Sequence, residues 1–170
     1  PYLYKDNGFK EREKAEELIA YLKEEPPLEA RVLSKEKKKE TKNPPLLYNL
    51  AELQNDCSKM FKISPDETLK VVQELYEKKL VTYPRTDARV LSTAVAKEIY
   101  KNINGLMRYE PVTAFAKEAM DMGSFKGIAK TRYVNDKQIT DHYAIIPTGQ
   151  GMGNLRGLSS LSEKVYQVIC

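Results

Sequence analysis

Near the middle of the chain, a helical pattern gives way to the run Leu80-Val81-Thr82-Tyr83-Pro84-Arg85-Thr86-Asp87. Its apolar and β-branched start favours an extended backbone, and Pro84 stops regular structure from continuing. Side chains alternate along an extended segment, so Tyr83 and Arg85 are predicted to point roughly the same way. The run therefore places a phenol, a guanidinium, a hydroxyl and a carboxylate close together.

Two interpretations of this run follow from its residues. In the first, Tyr83 is a nucleophile for a phosphodiester, and Arg85 holds a phosphate oxygen and stabilises the charge that develops there. In the second, a strand is followed by a turn in which Thr86 and Asp87 satisfy backbone donors. Because the chain has 11 tyrosines, the residues of the run alone favour the second interpretation.

The overall composition excludes few functions. The 170 residues suffice for one domain, or for one domain and part of another, and the net charge of +4 is compatible with a polyanionic partner without requiring one. The two cysteines, Cys57 and Cys170, form no CxxC motif, so neither a disulfide framework nor a zinc site is predicted. Cys57 lies on the apolar face of a predicted helix and is expected in the core. No apolar run is long enough to span a membrane, and we expect a cytoplasmic protein.

The first part of the chain predicts a helix and a strand. Apolar residues at helical spacing predict a helix over 10–24, which the prolines of Glu25-Pro26-Pro27 end. Alternation over 28–32 predicts a half-buried strand. Residues 34–42 carry five lysines, interpreted as a solvated segment or, alternatively, as a contact to phosphates. Asn43-Pro44-Pro45 predicts a domain boundary, giving residues 1–43 and 44–170.

Two further helices are predicted before the central run. Asn49 with Glu52 forms a capping box, and Ser64 followed by Pro65 is a typical helix start. Their apolar faces are Leu50, Leu53, Cys57, Met60 and Phe61 in the first helix, and Leu69, Val72, Leu75 and Tyr76 in the second. Such a helix pair before a short strand is typical of helix-turn-helix and winged-helix units, but also of many proteins that do not bind DNA.

After the central run, the sequence predicts three more helices. Ser92 caps the first, which ends at Asn104-Gly105; Glu110-Pro111 starts the second; Ser160 with Glu163 caps the third. Their apolar faces include Val95, Ile99, Tyr100, Ile103, Phe115 and Ala116. The predicted fold class is mainly α: an orthogonal helical domain with winged-helix-like elements, preceded by a small α/β segment.

Between these helices lies a second region rich in chemical groups. Residues 122–138 are basic and are predicted to be loop and short strand, with Lys130 and Arg132 among the cations. Then follow Ile139-Thr140-Asp141-His142-Tyr143-Ala144-Ile145-Ile146-Pro147-Thr148 and a glycine-rich run, 149–153, interpreted as a flexible loop. His142 is the only histidine; by itself it favours a structural role, although a loop histidine can also bind phosphate or move a proton.

Four blocks in this order resemble the type IA DNA topoisomerases, and most of all the topoisomerase III branch. The blocks are Pro44-Pro45-Leu46-Leu47-Tyr48-Asn49-Leu50-Ala51-Glu52-Leu53-Gln54, Glu74-Leu75-Tyr76-Glu77, the run 80–87, and Asp141-His142-Tyr143-Ala144-Ile145-Ile146-Pro147-Thr148. The resemblance covers residues 44–148 and extends more loosely back to Phe9. Because four ordered blocks are more specific than any one of them, the resemblance reverses the preference stated above for the run 80–87.

The resemblance implies roles for named residues. Tyr83 matches the family's nucleophile, which becomes joined to the 5′ phosphate of one DNA strand; Arg85 matches its phosphate-binding arginine; His142 matches a histidine that positions the scissile phosphate. DNA contacts are expected from Thr86, Asp87, Thr140, Asp141, Lys130 and Arg132. Two positions depart from the family pattern: Ala88, where many relatives carry serine, and Tyr143, where this branch often has a second histidine.

The resemblance also implies what surrounds this chain. Residues 44–170 would be the tyrosine-bearing domain, truncated at its C-terminal end, and 1–43 part of a β-rich arch that opens as a gate. The Mg²⁺ ligands would lie upstream, outside this chain, so we expect no metal ligand here and no activity from the isolated piece. The chain begins without methionine and stops within a predicted helix, as expected for part of a longer protein.

The expected partners are single-stranded DNA and the other domains of the full-length chain, without a membrane. The competing class is a non-enzymatic, winged-helix-like DNA-binding module, which explains the helix pair but not the blocks around Tyr83 and His142. A third possibility is a protein-interaction domain that binds no nucleic acid, for which binding would not weaken with salt.

Overall fold

The structure is a computed structural model and describes residues 8–23 and 31–170. The chain divides into two units, Pro1–Lys42 and Asn43–Cys170. In the first, helix α1 spans Arg12–Leu22, as predicted but shorter by two residues at each end. Most of the strand predicted over 28–32 lies outside the described residues; Arg31 and Val32 are exposed and have no regular secondary structure. The assignment of this unit to a β-rich arch stays a prediction.

The lysine-rich segment 34–42 is exposed along its whole length and has no regular secondary structure. Lysines in water need no partner, so its composition is explained by solvation. The alternative, a contact to phosphates, stays a prediction.

The second unit is mainly helical, as predicted. Its helices are α2 (Leu50–Phe61), α3 (Pro65–Glu77), α4 (Thr93–Leu106), α5 (Thr113–Met122) and α6 (Ser160–Ile169). The predicted caps of the first three are confirmed: the side chains of Asn49, Ser64 and Ser92 accept hydrogen bonds from the backbone N–H three residues on. Each cap satisfies one of the donors that a helix start leaves unpaired.

One hydrophobic core joins α2, α3 and α6. Leu53 and Cys57 of α2, Leu75 of α3 and Tyr166 of α6 are fully buried in it. This confirms Cys57 as a core residue. Met60, predicted on the apolar face of α2, is instead 52% exposed, and the winged-helix resemblance of the pair α2–α3 stays a prediction.

Two predicted helix boundaries were wrong, the end of α4 and the cap of α6, whereas the helix start predicted at Glu110-Pro111 is confirmed. Helix α4 continues past Asn104-Gly105 to Leu106. The fourth helix begins with a 3₁₀ turn, Glu110–Val112, before α5. The cap of α6 is Ser159, whose hydroxyl accepts from the Ser162 N–H, and not Ser160. Of the predicted buried aromatic residues, Phe115 is 71% exposed and Tyr100 39% exposed.

The basic segment contains no strand within the described residues. Its regular parts are two 3₁₀ turns, Ile128–Lys130 and Asp136–Gln138, and its pairing is one parallel bridge between Leu91 and Val134. The predicted short strand was therefore wrong. No helix in the parts of the chain that the structure describes is long and apolar enough to cross a membrane.

Two glycines of the run 149–153 are closely packed, and the run continues into a 3₁₀ helix, Met152–Gly157. The flexibility predicted for the run stays a prediction. Gly149 and Gly151 have φ of 69° and 67°, where residues with a Cβ are strained. A Cβ on Gly149 would lie 2.4 Å from the Asn102 carbonyl oxygen, and one on Gly105 would lie 1.9 Å from that of Gly149. This contact explains why a glycine stands inside α4 without ending it.

Candidate active site

The end of α3 directs the chain toward Tyr83. After the last helical residue, the Leu80 N–H donates to the Leu75 carbonyl at 2.9 Å and the Lys79 N–H donates to that of Tyr76 at 2.8 Å. This pair of bonds, with Lys79 in the left-handed region at φ 62°, is a Schellman motif. Leu75 and Leu80 are both fully buried, so the motif is anchored in the core.

The predicted extended run pairs with the histidine-bearing segment. The Thr82 N–H donates to the Ile146 carbonyl at 3.0 Å, the Thr148 N–H donates to that of Leu80 at 2.9 Å, and Val81 and Pro147 form an antiparallel bridge. These bonds bring residues 80–82 and 144–148 side by side, although about 60 residues separate them in sequence.

Two threonine hydroxyls tie the same segments together. Thr82 Oγ1 donates to the Ala144 carbonyl at 2.9 Å and accepts from the Ile146 N–H at 3.0 Å. Thr86 Oγ1 donates to the His142 carbonyl at 3.0 Å and accepts from the Ala88 N–H at 3.1 Å. Thr86 is 7% exposed. Its hydroxyl therefore supports the loop that carries His142, and its predicted contact to DNA stays a prediction.

The result is an aromatic cluster around Tyr83. The Tyr83 and His142 rings lie 4.2 Å apart between centroids at an interplanar angle of 37°. Tyr76 also meets Tyr83 edge-on, with centroids 5.5 Å apart. Edge-to-face and offset arrangements are the favourable geometries for aromatic pairs. Tyr83 is thus fixed between a helix end and the loop of His142.

The cluster borders an open cavity of about 550 Å³. Its lining includes Tyr76, Lys79, Tyr83, His142 and Tyr143. This volume is in the usual range for a site that binds a small molecule or part of a polymer. The half-buried Tyr83 is therefore accessible to a ligand while its ring stays packed.

Arg85 and Asp87 point away from the core. Both are exposed, and no ion pair is recorded for either among the described residues. The backbone of Asp87 is fixed, because its carbonyl accepts from the Asn49 side chain at 3.1 Å. The Arg85 side chain is thus exposed to solvent two residues beyond Tyr83.

The other predicted DNA-contact residues also lie at the surface. Thr140 and Asp141 are exposed immediately before His142. Lys130 ends a 3₁₀ turn and Arg132 follows two residues later, both exposed. The structure thus joins Tyr83 to His142 by direct contact, whereas it records no such contact for Lys130 or Arg132.

Sequence reasoning missed Tyr76, Lys79 and Thr82. Tyr76 was predicted on the buried face of α3, but it is 39% exposed and packs on Tyr83. The six residues between Tyr76 and Tyr83 include the helix end, and the helical period does not continue across it. Lysines such as Lys78 and Lys79 are common at helix ends, where their charge is favourable, so this pair gives no signal of a site in the sequence.

Cys57 is excluded as an alternative nucleophile. It is fully buried, and burial, with the nearby Asp56 carboxylate, raises the pKa of its thiol to about 11. Since the thiolate is the reactive form, this cysteine is inert at neutral pH.

Acidic groups near the site do not form a metal cluster. Within the described ranges, no group of three or more histidine, cysteine, aspartate or glutamate side chains could hold a metal ion. Asp136 instead caps α4: it accepts from the Thr93 hydroxyl and N–H, which lower the pKa of its carboxyl group.

Comparison with known proteins gives the family. A family model described as DNA topoisomerase matches residues 3–170. The chain is 43% identical over 128 residues to the DNA topoisomerase 3 of Bacillus subtilis, which covers 74% of this chain and 17% of that protein. It is 41% identical over 126 residues to that of Bacillus licheniformis, covering 74% and 17%.

A third relative extends the match. The DNA topoisomerase 3 of Bacillus thuringiensis is 36% identical over 144 residues, which cover 82% of this chain and 19% of that protein. The chain thus spans less than a fifth of the length of the curated relatives that it matches. With the four ordered blocks and a family match over nearly all its residues, the chain belongs to the type IA DNA topoisomerases, on the topoisomerase III branch.

Proposed function

We propose that Tyr83 is the nucleophile that cleaves one DNA strand in a type IA topoisomerase. The Tyr83 oxygen forms a bond to phosphorus, and the bond from phosphorus to the 3′ oxygen breaks. The phenolic proton leaves Tyr83, the departing oxygen gains a proton to become a 3′ hydroxyl, and the 5′ phosphate stays joined to the protein. Since one phosphodiester replaces another, the reverse reaction reseals the strand without ATP.

The observation that carries this proposal is the contact between Tyr83 and His142 beside an open cavity. Their rings are 4.2 Å apart, and the hydroxyls of Thr82 and Thr86 hold the two segments in register. An imidazole at this distance can hold a phosphate oxygen next to the phenol. We assign His142 to positioning the scissile phosphate.

Arg85 is proposed to bind the same phosphate. Its exposed guanidinium follows Tyr83 by two residues, and it offers several donors in a planar fork that matches phosphate oxygens. Charge accumulates on those oxygens as the new bond forms, so donors already in place stabilise the transition state.

The DNA is proposed to be single-stranded and to continue along the exposed surface on either side of Tyr83. Asp87, Thr140, Asp141, Lys130 and Arg132 are the exposed residues assigned to it. Cations contact the phosphate backbone, whereas the neutral and acidic side chains contact base edges or sugars. Thr86 is proposed to contribute indirectly, because its hydroxyl donates to the His142 carbonyl and so supports the loop that carries His142.

Strand passage and the metal requirement belong to the whole protein. We propose that this chain forms the tyrosine-bearing domain and part of a gate, and that it acts in the cytoplasm with other domains of the same protein. As the resemblance implies, we propose that the Mg²⁺ ligands lie in those other domains. On this account, the chain presents Tyr83 but does not complete the reaction alone.

Trapping of the covalent intermediate tests the proposal. The full-length protein is mixed with single-stranded DNA labelled on the 5′ phosphate side of the break and stopped with denaturant. We expect a labelled adduct with the natural sequence and none with Tyr83→Phe, which keeps the ring and removes the attacking oxygen. Tyr100→Phe is the control, because it removes the hydroxyl of a tyrosine that packs on Phe125, outside the cluster.

Two outcomes would overturn the proposal. An adduct that persists in Tyr83→Phe would exclude Tyr83 as the nucleophile. Salt-sensitive DNA binding without any adduct in the natural protein would favour the non-enzymatic DNA-binding module instead.

A further inference from the structure

Two lysines of this protein occupy backbone positions that favour glycine. Among the described residues, Lys62 and Lys79 are the non-glycine residues with positive φ, at 60° and 62°. Each follows the end of a helix, α2 for Lys62 and α3 for Lys79. Glycine is the usual residue there because a Cβ is strained in the left-handed region.

A general helix-end effect explains both lysines equally well. A cation near the C-terminus of a helix is stabilised by the helix dipole and by the free carbonyl groups. If this were the whole explanation, the two lysines would be interchangeable in function. Their surroundings, however, differ.

Lys79 lies at the cavity that contains Tyr83 and His142, whereas Lys62 is not part of its lining. Two hydrogen bonds and one close packing contact fix the backbone around Lys79. The Thr148 hydroxyl donates to the Lys79 carbonyl at 2.6 Å, and the Asn154 amide donates to that of Lys78 at 2.9 Å. Gly151 packs so closely that a Cβ there would lie 2.5 Å from the Lys78 carbonyl oxygen. The base of the Lys79 side chain is therefore fixed at the rim of the cavity.

The ammonium group of Lys79 forms no ion pair within the described part of the chain. The neighbouring Lys78 pairs with Glu74 at 3.7 Å. Glu77, the acid in the cavity lining, accepts a hydrogen bond from Gln73 at 3.1 Å. No ion pair joins Lys79 to a described acid, and its side chain is exposed. It is the one lysine or arginine among the described residues that line this cavity.

We propose that Lys79 is a phosphate-binding residue, which contacts the backbone of single-stranded DNA next to the phosphate that Tyr83 attacks. This inference rests on the proposed function. A strained lysine with a fixed base and a free ammonium group, beside the nucleophile, is suited to an anionic ligand. The contact is to a phosphate oxygen and therefore carries no preference for a DNA sequence.

The test compares Lys79→Gly with Lys62→Gly in the full-length protein. Both changes remove one positive charge and relieve the same backbone strain, so effects on folding and on helix ends are matched. Each is combined with Tyr83→Phe, which prevents cleavage, and the Kd for a labelled single-stranded oligonucleotide is measured over a range of salt concentrations. Lys79→Arg serves as the variant that keeps the charge.

We expect Lys79→Gly to weaken binding about 5-fold at low salt. The slope of log Kd against log salt should fall by about 0.7, the value for one phosphate contact to a single strand. Lys62→Gly should change neither quantity, and Lys79→Arg should restore the slope.

Equal slopes for Lys79→Gly and Lys62→Gly would overturn the inference, as would a slope that Lys79→Arg fails to restore. This failure is distinguishable from failure of the proposed function. If only the role of Lys79 is wrong, the protein with Tyr83 intact still forms its covalent adduct. If the proposed function is wrong, the protein forms no adduct, and the inference about Lys79 fails as well.

Discussion

Tyr83 gains its chemical significance from the residues that fix it. Tyr76 and His142 both pack on its ring. The neighbouring Thr82 forms hydrogen bonds to residues 144–146 through its backbone N–H and its hydroxyl. A nucleophile held in one orientation loses less conformational entropy when it attacks. Its position between Tyr76 and His142 distinguishes Tyr83 from the other tyrosines that the structure describes.

Arg85 is expected to contribute mainly to cleavage. Replacing Arg85 by alanine should lower the rate of adduct formation by about 100-fold, the usual loss when one donor to a developing oxyanion is removed. Single-turnover cleavage of a labelled oligonucleotide by the full-length protein measures this rate.

Arg85→Lys separates charge from geometry at the same position. Lysine keeps the positive charge but not the planar fork of donors, so it should recover only part of the lost rate. A cleavage rate unchanged by Arg85→Ala would contradict the role assigned to this side chain.

At the scale of elements, the candidate active site is a junction between two segments that are distant in sequence. Residues 139–148 form hydrogen bonds to the run after α3 on one side and to the segment before α4 on the other, where the Ala144 N–H donates to the Val90 carbonyl at 3.0 Å. Helix α4 holds the end of the same segment, since the Asn102 amide donates to the Pro147 carbonyl at 2.9 Å. The position of His142 therefore depends on α4 as well as on α3.

Gly105→Ala tests this dependence. In an exposed helix interior, replacing glycine by alanine usually stabilises by about 1 kcal/mol. Here the added Cβ would lie 1.9 Å from the Gly149 carbonyl oxygen, so we expect destabilisation by about 1–3 kcal/mol. The yield of covalent adduct should fall too, because Gly149 directly follows the segment of His142.

Thermal unfolding of the full-length protein and adduct trapping measure the two effects. Gly153→Ala is the matched control, since a Cβ at Gly153 meets no atom within 4 Å. If Gly105→Ala stabilised the protein as in an ordinary helix, the packing of α4 against Gly149 would be wrong.

Local signals predicted most of these elements. Caps such as Ser64 and Ser92 and apolar residues at helical spacing act within a few residues, so they can be recognised in sequence. The packing of Gly105 against Gly149 could not be recognised, because it joins residues 44 apart through backbone contact alone. For the same reason the sequence alone predicts a helix end at Asn104-Gly105, where α4 in fact continues.

At the scale of the whole molecule, the pairing of Tyr83 with His142 was expected from the resemblance and not from any local pattern. Both residue types and their blocks are visible in the sequence, whereas the aromatic contact of Tyr76 and the cavity beside Lys79 arise only when α3 and residues 142–150 come together. The family explains why the blocks occur in this order. The fold explains how two residues about 60 apart in sequence come into contact.

The most direct test of this account identifies the amino acid that holds the DNA. The full-length protein is trapped on single-stranded DNA, digested with protease and nuclease, and analysed by mass spectrometry of the modified peptide. We predict a nucleotide joined through its 5′ phosphate to Tyr83. A nucleotide attached to any other residue, or joined through a 3′ phosphate, would contradict the account.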